Sequence, residues 1–230
     1  MRPAALAALL LLAAPAQGAE RNYSVTSFDR IRVDGPYQVT LKTGVAPYAK
    51  ASGTQASLDG VSIKVEGRTL IVRSNPGGSW GGYPGEGRGP VTIELGTHDL
   101  STAWINGAGA LFIDKVKGLS FDIAIQGAGV MRIDSVDIDQ MKVGLSGTAG
   151  ARLAGRAARL TATVRGTSSF DGESLAVKDA VIGAEGPAMV RASVSETAKV
   201  DALGLASVVL AGAPACTVKI QGSASVTGCK

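Results

Sequence analysis

Histidine, a common residue in metal binding and acid–base catalysis, occurs once in the chain. His98 lies between Thr97 and Asp99, near the predicted end of a strand. One histidine cannot form a multi-histidine metal site, and a catalytic triad with Asp99 would also need a nucleophile close to both. We therefore predict a surface or turn position for His98, no metal or cofactor site, and no catalytic residue.

Charged residues that could line an outer face are the next candidates for chemistry. They are Asp122, Asp137, Asp139, Lys142 and Arg165. Retaining glycosidases need two carboxyl groups about 5 Å apart, and inverting enzymes need a larger separation. Stacked strands can supply such distances, but these charges do not recur in one persistent cluster. Polysaccharide cleavage is therefore an alternative to a non-catalytic protein, which remains the first expectation.

A second set of carboxylates follows a repeated glycine by seven positions. Asp114, Asp134 and Glu173 occupy this position, and Ala154 occupies it in the third repeat. Hydrogen bonds from the side chain to the backbone of a turn explain such a position, and a cation site is the alternative. The Gly-Gly-x-Gly-x-Asp repeat of calcium-binding β-rolls is absent, which favours the turn.

Residues 75–90 form the one break in composition, because they are rich in glycine and proline. Such a segment is too glycine-rich to pack, so we predict a mobile loop. Its aromatic residues, Trp80 and Tyr83, could stack on a sugar or anchor a protein partner, since aromatic side chains concentrate binding energy. A simple insertion between two strands is the plainer interpretation, so both residues are candidates for ligand or partner contact.

The N-terminus has the pattern of a secretory signal peptide. Arg2 precedes an apolar run over residues 4–14, and Ala16 and Gly18 are the small residues before a cleavage site at Ala19. This arrangement is typical of an export signal, and the run is shorter than the roughly 20 residues that span a bilayer. We expect residues 1–18 to be removed, no transmembrane segment, and a periplasmic or extracellular mature protein.

The two cysteines agree with export. Cys216 and Cys229 are the only cysteines and are thirteen positions apart. In an oxidising compartment such a pair predicts a disulfide, and the spacing is not that of a redox Cys-x-x-Cys motif.

The element that must position all these residues is a repeat beginning near residue 106. A glycine recurs at intervals of 18 to 20 residues, at Gly107, Gly127, Gly147, Gly166, Gly186, Gly204 and Gly222. Between the glycines, apolar residues alternate with polar ones, which predicts strands, and a constant period of this length predicts a solenoid. We therefore predict an all-β fold, a right-handed parallel β-helix with coils of about 18–20 residues over 106–230, whose last coil is fastened by the disulfide.

Residues 19–105 are also rich in predicted strands but are less regular. Strands flank a turn at residues 34–36, and a hairpin is predicted across residues 66–68. This part forms either irregular first coils of the same solenoid or a small lead-in that is similar to a β-sandwich.

Three segments of this part carry a family resemblance. They are FDRIRVDGPYQVTLKTG at 28–44, VSIKVEGRTLIVRS at 61–74 and PVTIELGTHDLSTAWINGAGALFI at 90–113. They resemble the putative auto-transporter adhesin head domain family, also called the GIN domain, although no proline directly precedes Leu100. The matching positions are Phe28, Ile31, Val33, Gly35, Gly67, Leu70, Val72, Asp99, Leu100, Ile105, Gly107 and Gly109. The resemblance covers roughly residues 22–228 and implies one continuous extracytoplasmic β-helical domain.

Together these features favour a non-catalytic, exported module of the cell envelope with an adhesin-like or structural role. A polysaccharide-binding or polysaccharide-degrading protein is the alternative. The formal net charge of +4 is scattered along the chain, so nucleic acid is not an expected partner. An envelope polysaccharide or a surface protein is the expected kind of partner.

Overall fold

Short runs of alternating apolar and polar residues place almost the whole chain in strands. The computed structural model describes residues 18–75 and 89–230, which contain one 16-stranded sheet and one short helix. The elements are β1 (Ala19–Tyr23), β2 (Arg30–Asp34), β3 (Gln38–Thr43), β4 (Tyr48–Gly53), α1 (Gln55–Asp59), β5 (Val61–Glu66), β6 (Thr69–Ser74), β7 (Thr92–Thr97), β8 (Thr102–Gly107), β9 (Ala110–Gly127), β10 (Val130–Gly147), β11 (Gly150–Gly166), β12 (Ser169–Glu185), β13 (Met189–Gly204), β14 (Ser207–Ala211), β15 (Ala215–Gly222) and β16 (Ser225–Thr227). The predicted all-β solenoid is confirmed, with about six turns.

Each coil of the repeat is one long strand that is bent near its middle. Strands β9 to β13 pair in parallel with the strand before and the strand after, so that equivalent residues stack in columns. Ile125 pairs with Leu145, for example, and Leu145 pairs with Val164. These inward side chains are buried. The solenoid therefore has a continuous narrow core, which suits a chain poor in aromatic residues.

The repeated glycines form one corner of the solenoid, here called the glycine corner. Gly127 and Gly147 have φ values of +107° and +95°, which side chains other than glycine rarely adopt. A Cβ atom at Gly147 would also lie 2.6 Å from the carbonyl oxygen of Gly127 in the previous coil. Both backbone conformation and close approach therefore require glycine at this corner.

The opposite corner, between the two halves of each long strand, is here called the bulged corner. Its strand pairing is interrupted between Ile133 and Val136, and again between Gly172 and Ala176. From Gly172 to Ala176, β12 spans four residue steps, whereas its partner in β13 spans only one. Coils of different length are therefore accommodated at this corner, whereas the glycine corner stays in register.

In the N-terminal part, the order of strands along the chain differs from their order in the stack. Strand β2 pairs in parallel with both β6 and β8, and β3 pairs in parallel with both β7 and β9. The chain from β2 to β3 is therefore one coil that lies between two later segments. The strands of this part therefore belong to the same 16-stranded sheet as the repeat.

Antiparallel strands and the helix cover the N-terminal end of the stack. Strand β4 pairs with β7, β1 pairs with β4, and β5 pairs with β6, all antiparallel. Helix α1 begins at its N-cap Thr54 and buries Leu58. We call this the closed end.

The predicted disulfide is confirmed at the other end of the stack. Cys216 at the start of β15 is bonded to Cys229, which follows β16, with 5.7 Å between the Cα atoms. Cys216 pairs in register with Ala198, whose side chain is buried in the preceding coil. The bond therefore ties the last strand back to the corner from which β15 departs.

Removal of the disulfide should lower thermal stability while leaving the repeat folded. In the chain-entropy model a closed loop of about 15 residues contributes roughly 3 kcal/mol, which for a chain of this size corresponds to a fall in Tm of roughly 6–12 °C. We expect Cys216→Ser with Cys229→Ser to show this fall by differential scanning calorimetry, with an unchanged far-UV circular dichroism spectrum. Wild-type protein treated with a reductant should show the same fall in Tm. An unchanged Tm in the double variant would rule out a stabilising role for the disulfide.

Candidate functional site on the bulged corner

The bulged corner carries a groove that crosses four successive coils. It has a volume of about 570 Å³ and is lined by residues of β10, β11, β12 and β13, together with Gly212. Length differences between coils occur at this corner, so neighbouring strands do not fill the surface evenly. The groove thus lies directly beside the bulges.

Stacked apolar side chains make the floor of the groove. Ile138, Ala157, Val177 and Val194 follow one another in the strand register and are buried. Next to them, the outward positions at Ala158 and Ala176 carry only a methyl group. The base of the groove therefore consists of buried core side chains, with the small outward residues Ala158 and Ala176 beside them.

Asp137 and Arg156 form the strongest polar contact on one rim. Arg156 Nε donates to Asp137 Oδ1 at 2.6 Å, and Arg156 Nη2 donates to Asp137 Oδ2 at 3.1 Å. The hydrogen bond from Arg156, followed by the charges of Arg156 and Lys117, lowers the pKa of Asp137 despite opposing desolvation. The same pairing raises the pKa of Arg156. Asp137 is therefore a carboxylate at neutral pH and is unsuited to act as a general acid.

The remaining polar groups of the groove are unlike a catalytic set. Lys178 and Asp139 are exposed, and within the described residues neither has an ion-pair partner within 4 Å. Ser195 Oγ donates to the carbonyl oxygen of Val177 at 3.3 Å. Ser193 also lines the groove. The lining of the groove thus holds a cation and an anion without an ion-pair partner among the described residues, together with two serine hydroxyls.

The five charges considered for an outer catalytic face do not meet in one site. Lys142 pairs in register with Asp122 on the second half of the coil, and Arg165 forms an ion pair with Glu185 at 3.2 Å near the glycine corner. Only Asp137 and Asp139 line the groove. The sequence could not show this separation. The column in which a residue stacks depends on the bulges that lie between that residue and the preceding corner glycine.

The carboxylates seven positions after the glycines have local partners. Asp114 Oδ1 accepts hydrogen bonds from the backbone N–H groups of Thr43 at 3.0 Å and Lys115 at 2.6 Å. Asp134 accepts from Arg132 Nε at 2.7 Å. Ala154 pairs with Ser174, so Glu173 falls one residue outside this column. The three carboxylates therefore do not line up as ligands of one cation.

His98 is exposed, and its backbone carbonyl oxygen accepts from the N–H of Gly44 at 2.9 Å. Within the described part of the chain, no group of three or more His, Cys, Asp or Glu side chains could hold a metal ion. Ser79 stands in a Gly-x-Ser-x-Gly pattern, which in other folds can mark a nucleophile, and it lies outside the described residues.

Trp80 and Tyr83 lie outside the described residues. A shallow cavity of about 320 Å³ borders the points where their segment leaves and rejoins the sheet, and Ser74, Gly89 and Pro90 are part of its lining. Tyr37 lines the same cavity, and its hydroxyl is 3.1 Å from Ser74 Oγ. Tyr37 is thus a further aromatic candidate contact. It lies outside the Gly-rich segment, so composition alone gave no signal for it.

The fold and its surfaces define a β-solenoid with a long outer face and a polar groove. The chain belongs to the family described as "Putative auto-transporter adhesin, head GIN domain", whose model matches residues 27–214. The resemblance found in the sequence is therefore confirmed. No curated protein matches the chain.

Solved structures with the same fold share little sequence with this chain. A putative adhesin from Bacteroides fragilis has a TM-score of 0.79 at 16% identity, over 92% of this chain and 96% of its own. A putative lipid binding protein from Parabacteroides distasonis has a TM-score of 0.70 at 16% identity, with the same coverages. A putative adhesin from Parabacteroides merdae has a TM-score of 0.68 at 14% identity, again over 92% and 96%. At these identities the similarity shows the fold alone.

The family and the disulfide indicate an exported protein. No helix in residues 18–75 or 89–230 is long and apolar enough to cross a membrane.

The pairing of Asp137 with Arg156 predicts how the carboxyl group titrates. Because the pKa of Asp137 is lowered, the pair should persist below the ordinary range of aspartate and be lost only as the pH falls through the lowered pKa. We expect ¹³C NMR of the Asp137 carboxyl to show a midpoint below that of a free aspartate, and Arg156→Gln to raise it. Arg132→Gln, which removes the partner of Asp134, should leave it unchanged. An unmoved midpoint in Arg156→Gln would contradict the assignment.

Proposed function

We propose that this protein is a non-catalytic, exported module of the cell envelope that binds a partner along the outside of its solenoid. The observation that carries the proposal is the groove on the bulged corner, which combines an apolar floor with unpaired charges and hydroxyls. Membership of an adhesin family and the adhesin labels of the solved neighbours point in the same direction.

The geometry favours an extended partner over a compact small molecule. The groove crosses four coils, and adjacent parallel strands lie about 4.8 Å apart. A peptide segment or a polysaccharide running across the coils could contact several of them in turn. Charged residues at the rim, Asp139 and Lys178, would then select polar partners and steer their approach.

Export is part of the proposal. The pattern at residues 1–18 and the disulfide both support it, although residues 1–17 lie outside those that the structure describes. We propose that the N-terminal part, residues 19–105, and the repeat, residues 106–230, act as one unit over about 22–228. The sheet pairing of β3 with β9 supports this continuity.

A polysaccharide is the second candidate partner, and the cavity beside residues 76–88 favours it. Tyr37 borders this cavity, and Trp80 and Tyr83 belong to the segment that leaves from it. Aromatic faces combined with hydroxyls are a combination that a sugar ring can use from both its apolar and its polar sides. Polysaccharide binding would not by itself make the protein an enzyme.

A groove contact should depend on charge at Lys178. We expect the mature protein to bind isolated envelope fractions of its source cells, and Lys178→Glu to weaken this binding at least roughly tenfold, about 1.4 kcal/mol. Lys142→Glu is the matched control, because Lys142 is equally charged and exposed but lies outside the groove. Equal binding by Lys178→Glu and Lys142→Glu would exclude the groove as the contact site. Depolymerisation of any polysaccharide in the same assays would reject a non-catalytic role.

The aromatic residues of the Gly-rich segment can be tested separately on a glycan array. If a polysaccharide is the partner, Trp80→Ala with Tyr83→Ala should abolish array signals that Lys178→Glu leaves in place, because each removed ring forfeits its stacking energy. Tyr48→Ala, at an exposed tyrosine of β4, serves as the control. Array binding that survives loss of both rings would exclude them as the sugar contact.

A further inference from the structure

The two ends of the solenoid differ in how well their core residues are covered. At the closed end, Leu58, Val61 and Ile63 are buried by α1 and the antiparallel strands. At the other end, formed by β15, β16 and the residues between them and here called the open end, Val218 is 39% exposed and Ile220 is 48% exposed. Val218 and Ile220 therefore meet solvent at the open end, whereas these three side chains at the closed end do not.

Val218 and Ile220 are core residues by position. Val218 pairs in register with Val200, and Ile220 pairs with Ala202, both fully buried in the preceding coil. Their exposure therefore has one cause, which is that no further coil follows them in the described residues. The open end presents the cross-section of the core itself.

The backbone of the open end is also unpaired on one side. Strand β15 is eight residues long, and within residues 18–75 and 89–230 it pairs only with β13, while β16 pairs only with β14. A free strand edge of this length readily recruits another strand. The disulfide holds this edge in place, so little conformational entropy would be lost on docking.

Exposed apolar residues are concentrated around the same end. Of the eleven large hydrophobic residues that are exposed in the described chain, six lie between residues 189 and 220. They are Met189, Leu203, Leu205, Val209, Val218 and Ile220. Exposed large apolar residues are thus more frequent in the last coils than in the rest of the described chain.

We propose that the open end docks against the open end of a second copy of this chain, about a two-fold axis. In this arrangement β15 of one copy pairs antiparallel with β15 of the other, and the inward faces of both strands continue one shared core. Because the same surface is used twice, the assembly closes as a dimer, whereas open-end to closed-end stacking would propagate as a fibre. At the closed end, by contrast, the core residues Leu58, Val61 and Ile63 are buried.

The size of the end fits a weak but specific dimer. The eight residues of β15 at about 3.3 Å each give the end a length of roughly 26 Å. Opposite faces of a coil packed about 10 Å apart, together with their outward side chains, give it a width of roughly 20 Å. Each copy would then bury on the order of 500 Å², and the pair about 1,000 Å², which is the lower limit for specific interfaces.

One charge constrains the strand register across the axis. Lys219 points outward from β15, between Val218 and Ile220. A register with Lys219 opposite its own copy would place two like charges together, which is unfavourable. Registers with Val218 opposite Val218, or Ile220 opposite Ile220, keep the two lysines apart and preserve the apolar core. Assembly does not depend on the partner proposed above, so either idea can fail alone.

Sedimentation velocity of the mature protein, from micromolar to near-millimolar concentration, tests the proposal. We expect a reversible monomer–dimer equilibrium, and Val218→Asp with Ile220→Asp should raise the dissociation constant at least roughly a hundredfold. Leu119→Asp with Val181→Asp is the matched control, since both side chains are exposed away from the open end, and it should leave the equilibrium unchanged. Far-UV circular dichroism checks that each variant is folded.

Cross-linking of the wild-type protein with a short amine reagent tests the arrangement without any substitution. Mass spectrometry of mixed light and heavy isotopic protein should show Lys219 linked between copies. Links from Lys219 to Lys50 or Lys64, in the antiparallel strands of the closed end, would instead show open-end to closed-end stacking. That result would overturn the proposal. A monomer at every concentration would also overturn it, as would a dimer whose dissociation constant is unchanged by Val218→Asp with Ile220→Asp.

Discussion

Close backbone contact between successive glycine corners is the constraint on which the rest of the repeat depends. Each of these glycines has a positive φ. At Gly127, Gly147, Gly166 and Gly222, a Cβ atom would also lie 2.6–3.0 Å from the carbonyl oxygen of the glycine one coil earlier. The corner therefore restarts the strand register in every coil, and any difference in coil length has to be absorbed elsewhere. It is absorbed at the bulged corner, where pairing is interrupted between Gly172 and Ala176. The groove lies at the corner that is not fixed.

This division explains how much of the protein could be predicted from its sequence. The glycine interval and the alternation of residues such as Leu111 and Ile113 are local signals, so coil length, strand type and core columns followed from them. The position of β2 and β3 between later segments leaves no periodic trace, because it rests on pairing with strands such as β6 and β8. The groove was missed for a related reason, since a bulge changes which residues become neighbours. The disulfide was predictable because only two cysteines were available.

The ordered charges on the outer surface are better explained by coil stacking than by catalysis. Arg156 reaches Asp137 in the preceding coil, whereas Arg152 reaches Asp171 and Arg165 reaches Glu185 in the following coil. Exposed pairs of this kind each contribute little to stability. They do neutralise one another. In the proposed binding, Asp139 and Lys178, which have no ion-pair partner among the described residues, are therefore the charges left to act on a partner.

A covalent bond and a covering element solve different problems at the end of a solenoid. At the closed end, antiparallel strands and α1 both hold the chain and remove the core from water, as the burial of Leu58 and Ile63 shows. The disulfide at the open end holds the chain but has no side chain large enough to cover Val218 and Ile220. An uncovered end that a disulfide holds in place differs from an end whose chain can fray. Its apolar cross-section keeps one shape. A second surface of the same shape can then match it without further ordering of the chain.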